Sequence, residues 1–335
     1  MGNYTKKPPK FSYSKINTYD SCSWKYYLSY KQGIFLFTDS LASELGTTVH
    51  KVEQLMFDDL KAGKQIDYDY YKDYLKNVKI DKKDKFDTEG GIYGLNILKE
   101  KYKEDFYKVD DNGNSYYKIM LDYLSTGIYR LENYLKANPD LEPFEAEKFF
   151  SIEYKGCTLS GFIDRIFYNK ATGEYIVEDI KTKNKPFKDT ELITPMQFVI
   201  YSHALNQSLD IPLDKIKCVY DLPMVGIRQE AGTKGFVARG LKKLDKLFDG
   251  INAENWQPNP SPLCYWCPYS PTNPDQPEDG KNLCPYYSLW TKTSKTHDVA
   301  NKWEGMEKHQ EIMEKEIDKN NKKQKNGADA FDFDF

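Results

Sequence analysis

Two aspartates and a lysine have residue types and a spacing that fit hydrolysis of a phosphodiester. Asp164 ends the segment GFID, and fifteen residues later Asp179 precedes Lys181 by two positions. Because side chains alternate along a strand, Asp179 and Lys181 are expected on one face, where Asp164 from a neighbouring strand can join them. Two carboxylates and the backbone carbonyl of Ile180 make an oxygen-rich site suited to Mg²⁺ or Mn²⁺. A lysine beside such an ion can position an attacking water and stabilise developing charge.

Exposed strands also pair an aspartate with a lysine for no catalytic purpose. A second hypothesis therefore remains open, in which the three residues are only a surface charge pair. The protein would then be a non-catalytic interaction module of a DNA-processing complex, and a bound metal would hold the module together. Convergence distinguishes the two hypotheses, because an enzyme needs its candidate residues to meet in one cleft.

Three cysteines lie in a stretch that cannot form regular structure. Cys264 and Cys267 are separated by two residues, and Cys284 follows after sixteen more. Residues 258–285 contain eight of the chain's 16 prolines, which excludes a helix or a strand there. Thiolate ligands to a metal would supply the missing constraint. The alternative is a disulfide pair plus free thiols, which an intracellular chain disfavours.

A fourth ligand is needed, and three other cysteines are available. Cys157 and Cys218 lie in predicted strands, where buried cysteines are common. Cys22 lies on the first predicted helix, among aromatic residues, and is our candidate. Four thiolates suit either tetrahedral zinc or an iron–sulfur cluster, and the spacing does not decide between them.

The surrounding pattern predicts a sheet with helices around it. Residues 145–184 alternate with period two in three segments, which indicates strands joined by turns. Residues 193–209 have helical spacing with Pro195 in the first turn, and residues 214–225 predict a further strand. We expect five regions: N-terminal helices at 1–63, a helical lobe or insertion at 64–144, a core at 145–256, a cysteine- and proline-rich loop at 257–290, and a polar helix with an acidic, aromatic tail at 291–335.

The ordered motifs resemble the PD-(D/E)XK nuclease superfamily of RecB type. The similarity spans roughly residues 11–290 and includes an opening helix FSYSKINTYDSCSWKYYLSY, the motif LGTTVH, the GFID segment, IVEDIKT and a helix with Q-x-x-x-Y. The cysteines resemble the iron–sulfur subgroup that includes the AddB nuclease domain and the CRISPR-adaptation exonucleases. The resemblance implies an α/β, restriction-endonuclease-like mixed sheet flanked by helices, with a helical insertion and a cysteine-stapled C-terminal loop.

The resemblance also implies a role for each motif residue. The implied metal ligands are His50, Asp164, Asp179 and the carbonyl of Ile180. Lys181 resembles the catalytic lysine. Glu178 also precedes the lysine, but the family's acidic residue stands two positions before it, which favours Asp179.

Two further groups are implied by the same resemblance. Gln197 and Tyr201, one helical turn apart, resemble the pair that holds the DNA strand. The implied ligands of a [4Fe–4S] cluster, with Zn²⁺ as the alternative, are Cys22, Cys264, Cys267 and Cys284.

The implied activity is a metal-dependent DNA exonuclease in replication, recombination or repair. A net charge of -3 excludes a globally basic DNA-binding protein, and neither Gly-rich nucleotide motif occurs, which argues against an ATP-driven motor. We expect an intracellular protein, because no apolar run is long enough to span a membrane and the first residues lack a secretory signal. A compact nuclease without an ATPase suits a bacteriophage. The acidic, aromatic residues 329–335 predict docking to a single-strand DNA-binding or recombination protein.

Overall fold

The computed structural model describes residues 8–36, 40–81, 91–110, 113–259, 261–270, 273, 278–280, 283–284, 287–288 and 299–300. The predicted docking tail at 329–335 lies outside these residues, as does all but 299–300 of the predicted polar helix. The chain divides into two compact units. The first unit contains Met1–Lys10 and Asp39–Lys243, and the second contains Phe11–Thr38 and Leu244–Phe335. No helix in the described ranges is long and apolar enough to cross a membrane.

Strands and helices are numbered in chain order. The strands among the described residues are β1 (Lys10–Phe11), β2 (Lys79–Ile80), β3 (Ile92–Tyr93), β4 (Leu141–Tyr154), β5 (Cys157–Asn169), β6 (Glu174–Ile180), β7 (Ile216–Leu222), β8 (Ile227–Ala231), β9 (Tyr287–Ser288) and β10 (Val299–Ala300). The α-helices are α1 (Tyr13–Ser21), α2 (Ser23–Tyr26), α3 (Leu41–Lys61), α4 (Tyr68–Asn77), α5 (Leu95–Lys101), α6 (Lys103–Tyr107), α7 (Tyr116–Ser125), α8 (Arg130–Ala137), α9 (Asp189–Leu192), α10 (Met196–Leu209) and α11 (Phe236–Asn252).

The first unit is built on a mixed sheet. β5, β6, β7 and β8 lie side by side in that order, and β4 pairs along β5. The β4–β5, β5–β6 and β7–β8 pairs are antiparallel, whereas β6 and β7 are parallel and are joined through α10. The predicted α/β class with a mixed sheet is confirmed.

Helices cover both faces of this sheet. On one face, the ring of Phe57 in α3 packs 5.2 Å from that of Phe167 in β5. On the other, the ring of Phe198 in α10 lies 4.6 Å from that of Tyr220 in β7. The register of β5 and β7 against β6 places Phe167 and Tyr220 on opposite sides of the pleat. The sheet is therefore flanked by helices, as predicted.

α3 (Leu41–Lys61) lies within residues 1–63, where helices are expected from the sequence. The Ser40 hydroxyl accepts a hydrogen bond from the Ser43 amide at 3.2 Å and caps the helix. Leu45, Val52 and Met56 belong to an apolar stripe that is buried in the core. The same core takes side chains from α4, α5, α6, α7 and α8, so the helices that follow α3 pack against it rather than standing apart.

Several local expectations differ from the structure. The predicted first helix is broken at Cys22, which has an extended backbone (φ -163°, ψ 110°) between α1 and α2. Pro195 is the N-cap of α10 instead of a first-turn residue. Lys181 lies just beyond the end of β6, although its amide still donates to the Asp221 carbonyl of β7 at 2.8 Å. β8 and α11 were not predicted.

One buried guanidinium connects four elements of the first unit. The Arg165 side chain of β5 is 1% exposed, and its Nε donates to Glu178 of β6 at 2.7 Å. Its Nη1 donates to Glu53 of α3 at 2.9 Å, and its Nη2 pairs with Asp221 of β7. Burial opposes the charged form of Arg165, but Asp221 and Glu53 raise the pKa of the guanidinium above its usual range.

Further side chains complete the partners of these three carboxylates. Arg130 pairs with Asp221, and Arg228 pairs with Glu178. The Tyr123 hydroxyl donates to Glu53 at 2.7 Å. The side chains therefore form a buried network, which we define as Arg130, Arg165, Arg228, Glu53, Glu178, Asp221 and Tyr123.

Removing the central cation of this network should destabilise the protein strongly. We expect Arg165→Met to lower the free energy of unfolding by about 3–5 kcal/mol, because buried carboxylates lose their partner. Lys61→Met is the matched control, since Lys61 pairs with Glu145 at 3.4 Å with both side chains partly exposed, and it should cost less than about 1 kcal/mol. Urea denaturation followed by circular dichroism measures both values. Equal losses in the two variants would show that the network does not stabilise the fold.

Candidate functional site

Two carboxylates meet where β5 and β6 separate. The last residues paired between these strands are Arg165 and Glu178, so Asp164 and Asp179 are the next to face each other. Cross-strand neighbours share a face of the sheet. Asp164 Oδ2 accepts a hydrogen bond from the Ile180 amide at 2.6 Å, which fixes one carboxylate against the backbone that carries the other.

The charges of the two carboxylates repel each other. The Asp179 side chain is 1% exposed, and burial together with the charge of Asp164 raises its pKa to about 7. Burial also raises the pKa of Asp164, against the opposing effect of Lys181. Lys181 Nζ lies 2.6 Å from Asp179 Oδ2, whereas Asp179 Oδ1 has no hydrogen-bond partner in the part of the chain that the structure describes. The site therefore holds more negative charge than its lysine balances.

His50 reaches the same place from α3. Its Nδ1 lies 3.6 Å from Asp164 Oδ2. Burial lowers the pKa of His50, although the charge of Asp179 acts in the opposite direction. A lowered pKa keeps the imidazole neutral near pH 7, which is the form that binds metal ions. Glu53, one turn further along α3, binds Arg165 and so anchors the helix that presents His50.

Gln197 and Tyr201 lie on the buried side of α10, beside the carboxylates. The Gln197 amide donates to the Tyr201 hydroxyl at 2.7 Å. Burial raises the pKa of Tyr201 well above its usual value, and the charges of Asp179 and Asp164 add to the effect. The tyrosine hydroxyl is therefore a neutral donor close to both aspartates.

Glu147, a third carboxylate in this row, was not predicted from the sequence. It lies on β4 between two residues that pair with Ile163 and Arg165, and therefore faces Asp164. Burial and the charge of Asp164 raise its pKa to about 7. Its φ of 45° is unusual for a residue with a side chain. No motif marks Glu147, because its position follows from strand register alone.

Arg165 and Glu178 were not predicted as partners in a buried network, although Glu178 was considered as an alternative to Asp179. Arg165 directly follows Asp164, and Glu178 directly precedes Asp179. Alternation along a strand sends such neighbours to opposite faces, and this signal was available in the sequence. Glu178 binds Arg165 and Arg228, while Asp179 pairs with Lys181.

The donor set at the carboxylates fits a hard divalent cation. Across the described residues, no group of three or more His, Cys, Asp or Glu side chains is already arranged to hold a metal ion. In this arrangement Lys181 occupies the place beside Asp179 Oδ2. The buried oxygen Oδ1 of Asp179 nevertheless lacks a partner among the described residues. Carboxylate oxygens are the ligands that Mg²⁺ prefers, so the residues present suit Mg²⁺ or Mn²⁺.

The four candidate cysteines line one cavity of about 300 Å³ in the second unit. Backbone amides point at two of the sulfur atoms: Asn259 N lies 3.5 Å from Cys22 Sγ, and Ser261 N lies 3.4 Å from Cys264 Sγ. Burial raises the pKa of the Cys264 thiol and that of Cys267. None of the six cysteines, all within the described ranges, forms a disulfide.

Other contacts also hold the proline-rich loop. The indole nitrogen of Trp24 donates to the Leu283 carbonyl at 3.1 Å. Leu28, Ile34 and Tyr269 form a small apolar core with Leu283, and two of the cavity cysteines pack against it. Cys22 lies between α1 and α2, and its extended backbone places its sulfur at the cavity. The loop is thus tied to the first helices by apolar contacts and hydrogen bonds as well.

Comparison with known proteins identifies a family. A sequence model of the PD-(D/E)XK nuclease superfamily matches residues 10–272. A protein from Eubacterium rectale described as a candidate exonuclease is 14% identical, with a TM-score of 0.41 over 79% of this chain and 90% of that chain. The protein SSO0001 is 18% identical, with a TM-score of 0.26 over 45% of this chain and 72% of that chain. Neither structural similarity adds to the family match, and no curated protein matches the chain.

The crowding of Asp164 and Asp179 predicts a pH-dependent cost. In the folded protein the pKa of Asp179 is raised from 3.8 to about 7. The folded protein is therefore most stable below pH 3.8, where Asp179 is protonated, and it loses this stability as the pH rises to about 7. Asp179→Asn removes that cost. In EDTA, we expect the free energy of unfolding of the variant relative to the wild type to rise over this interval and then level off.

Asp122→Asn, at an exposed position on α7, is the control for the change of an aspartate to an asparagine. Chemical denaturation at a series of pH values measures all three proteins. A difference between Asp179→Asn and the wild type that stays constant with pH would contradict the crowding.

Proposed function

The chain belongs to the PD-(D/E)XK nuclease superfamily, and from this premise we propose a Mg²⁺- or Mn²⁺-dependent deoxyribonuclease that degrades DNA from its ends. Family membership implies DNA as the substrate. The observation that supports the proposal most is the meeting of Asp164, Asp179 and Lys181 at the end of the β5–β6 ladder. This convergence favours an enzyme over a non-catalytic interaction module.

We assign metal ligation to His50, Asp164, Asp179 and the carbonyl of Ile180. A divalent cation bound there would supply Lewis-acid activation of water and neutralise charge on the phosphodiester. The Lys181 side chain is 34% exposed, whereas Asp179 is buried. The Lys181 ammonium can therefore turn from the carboxylate toward the substrate. There it would orient the attacking water and donate to a phosphate oxygen as negative charge develops.

Gln197 and Tyr201 would hold the DNA strand beside the carboxylates. Because the Gln197 amide already donates to the Tyr201 oxygen, the tyrosine keeps its own hydrogen for another acceptor. The high pKa of Tyr201 keeps that hydrogen in place. A phosphate oxygen of the strand is the acceptor that this arrangement suits.

The cellular role and the partners are proposed from the sequence. A nuclease without a nucleotide-binding loop would work beside separate proteins in DNA replication, recombination or repair, and its composition suits a bacteriophage. We propose that residues 329–335 dock to a single-strand DNA-binding or recombination protein, because a short segment of aromatic and carboxylate side chains suits basic pockets.

Removing Lys181 or Asp164 should abolish hydrolysis without unfolding the protein. We expect Lys181→Ala and Asp164→Asn each to lower the rate by at least about 100-fold, with the double variant little worse, because the residues act as a unit. Lys183→Ala is the matched control, since the Lys183 ammonium lies 3.5 Å from the Phe187 ring centroid. Release of label from end-labelled linear DNA with Mg²⁺ or Mn²⁺ is the measurement.

Circular DNA separates the two modes of cleavage. An exonuclease leaves closed circles intact while it degrades the linear form. Nicking of circles would therefore contradict the exonuclease proposal but would still support a nuclease. Wild-type activity in Lys181→Ala, with loss of activity in Lys183→Ala, would overturn the assignment of the catalytic lysine.

We further propose that the cysteine cavity binds a [4Fe–4S] cluster. The four candidate cysteines line one cavity of about 300 Å³, which brings four thiol ligands to one place. Four thiolates suit an iron–sulfur cluster, and the amide donors to the sulfur atoms of Cys22 and Cys264 suit a cluster whose sulfurs accept hydrogen bonds. Zinc is the alternative that four thiolates also suit.

The cluster predicts colour, iron and stability together. Anaerobically purified protein should be brown and contain about four irons per chain. Cys22→Ser, Cys264→Ser, Cys267→Ser and Cys284→Ser should each lose iron and melt at a lower temperature. Cys157→Ser and Cys218→Ser are the controls, because these buried residues lie on β5 and β7, and both should keep their iron. Colourless protein with one zinc ion per chain would refute the cluster but support a zinc site formed by the four cysteines.

A further inference from the structure

A loop leaves the candidate active site at Lys181 and returns to it at α10. The loop consists of residues 182–195, and α10 carries Gln197 and Tyr201. Because both ends of the loop are at the site, its residues flank the site. Lys185 is four residues from Lys181, so their Cα atoms are at most about 14 Å apart.

Contacts with β7 and β8 hold this loop in place. The ring of Phe187 stacks on that of Tyr220 in β7, with centroids 4.1 Å apart. The Phe187 amide donates to Gln229 Oε1 of β8 at 2.7 Å, and Gln229 Nε2 donates to the Phe187 carbonyl at 3.0 Å. The Lys183 ammonium lies 3.5 Å from the centroid of the same ring. Phe187 thus anchors the part of the loop that carries Lys185.

The turn that follows β8 binds the same loop. The Gly232 amide donates to the Leu192 carbonyl at 2.7 Å. Arg239, near the start of α11, is held by this turn, because its Nη1 donates to the Lys234 carbonyl and its Nη2 to the Thr233 hydroxyl, both at 2.6 Å. These two acceptors are neutral, so they fix the guanidinium without cancelling its charge.

The loop and the turn are basic, although the net charge of the chain is -3. Residues 181–195 and 227–243 contain nine lysines and arginines but only three aspartates and glutamates. One of the nine, Arg228, is paired with Glu178 in the buried network. We define the basic surface as four exposed cations of the loop, the turn and the start of α11, namely Lys185, Lys188, Lys234 and Arg239.

A basic surface beside an acidic site suits the backbone of DNA. A DNA strand brings negative phosphates toward Asp164 and Asp179, whose charges repel them. Cations next to the site offset this repulsion and raise the local concentration of a polyanion. Arginine binds phosphate oxygens through paired N–H groups, and lysine binds them as a point charge. Arg239, which is already held by its turn, is ordered before a phosphate arrives.

We propose that the basic surface binds the phosphates of the DNA strand that flank the scissile bond. This inference rests on the proposed nuclease function and deepens it by naming a second contact region for the same substrate. A B-form strand rises about 3.4 Å per nucleotide, so Lys185 meets phosphates within about four nucleotides of the cleaved bond. Contacts to the backbone carry no sequence information, so the surface holds DNA of any sequence.

The salt dependence of DNA binding tests the surface. In EDTA, where metal-dependent hydrolysis does not occur, fluorescence anisotropy of a labelled oligonucleotide gives the binding constant at a series of salt concentrations. Each phosphate contact contributes about 0.7–0.9 to the slope of log K against log salt. We therefore expect Lys185→Gln/Lys188→Gln to lower the magnitude of the slope by about 1.4–1.8.

Two substrates separate flanking contacts from the cleavage site. On an oligonucleotide, Lys185→Gln/Lys188→Gln should raise KM and leave kcat unchanged, because the lost contacts hold the strand and not the reacting phosphate. A dinucleotide has only the scissile phosphate, so the variant and the wild type should share one KM there. A higher KM of the variant on the dinucleotide as well would overturn the assignment to flanking phosphates.

Lys103→Gln/Lys118→Gln is the matched control, because both lysines are exposed and lie on α6 and α7. It should keep the wild-type slope. An equal decrease in this control would overturn the surface, since a loss of charge anywhere would then suffice, and so would equal slopes for Lys185→Gln/Lys188→Gln and the wild type. Wild-type protein that shows the expected slopes but cleaves no DNA would refute the nuclease proposal and support the surface.

Discussion

The buried guanidinium of Arg165 is the constraint on which the first unit depends. A charge removed from water must find partners with good geometry, or the fold loses several kilocalories per mole. Arg165 meets this demand with carboxylates from one helix and two strands. Three elements that carry a network residue also carry a candidate site residue: Glu53 with His50 on α3, Arg165 with Asp164 on β5, and Glu178 with Asp179 on β6. Satisfying the network therefore sets the relative positions of the site residues.

The two faces of the sheet treat charge differently. On the network face, each buried carboxylate has an arginine partner. On the site face, Asp164, Asp179 and Glu147 lie in a row, and burial raises the pKa of each. Lys181 balances only part of this charge. A fold that tolerates this excess of negative charge needs a compensating source of stability. A cation bound at the site would lower the repulsion and stabilise the fold.

Local signals predicted much of this arrangement, and long-range contacts decided the rest. Helices were expected within residues 1–63, where α3 forms, and period-two alternation predicted β4, β5 and β6. The break at Cys22 was not predictable from the helical pattern, because it depends on contacts with a loop more than 230 residues away, such as that of Asn259 with the Cys22 sulfur. Glu147 was missed because a strand position reveals its cross-strand neighbour only when the register is known. The ligand roles of the motif residues and of the cysteines remain predictions.

We propose that the network gathers Asp164 and Asp179 into a site for a divalent cation. Anomalous diffraction from crystals soaked in Mn²⁺ tests it most directly, because it locates the ion without reference to activity. We expect a peak within coordination distance of both aspartates and the Ile180 carbonyl, with Lys181 turned away from Asp179. Manganese bound elsewhere, with the Lys181–Asp179 pair intact, would contradict the assignment of the cation site to these aspartates.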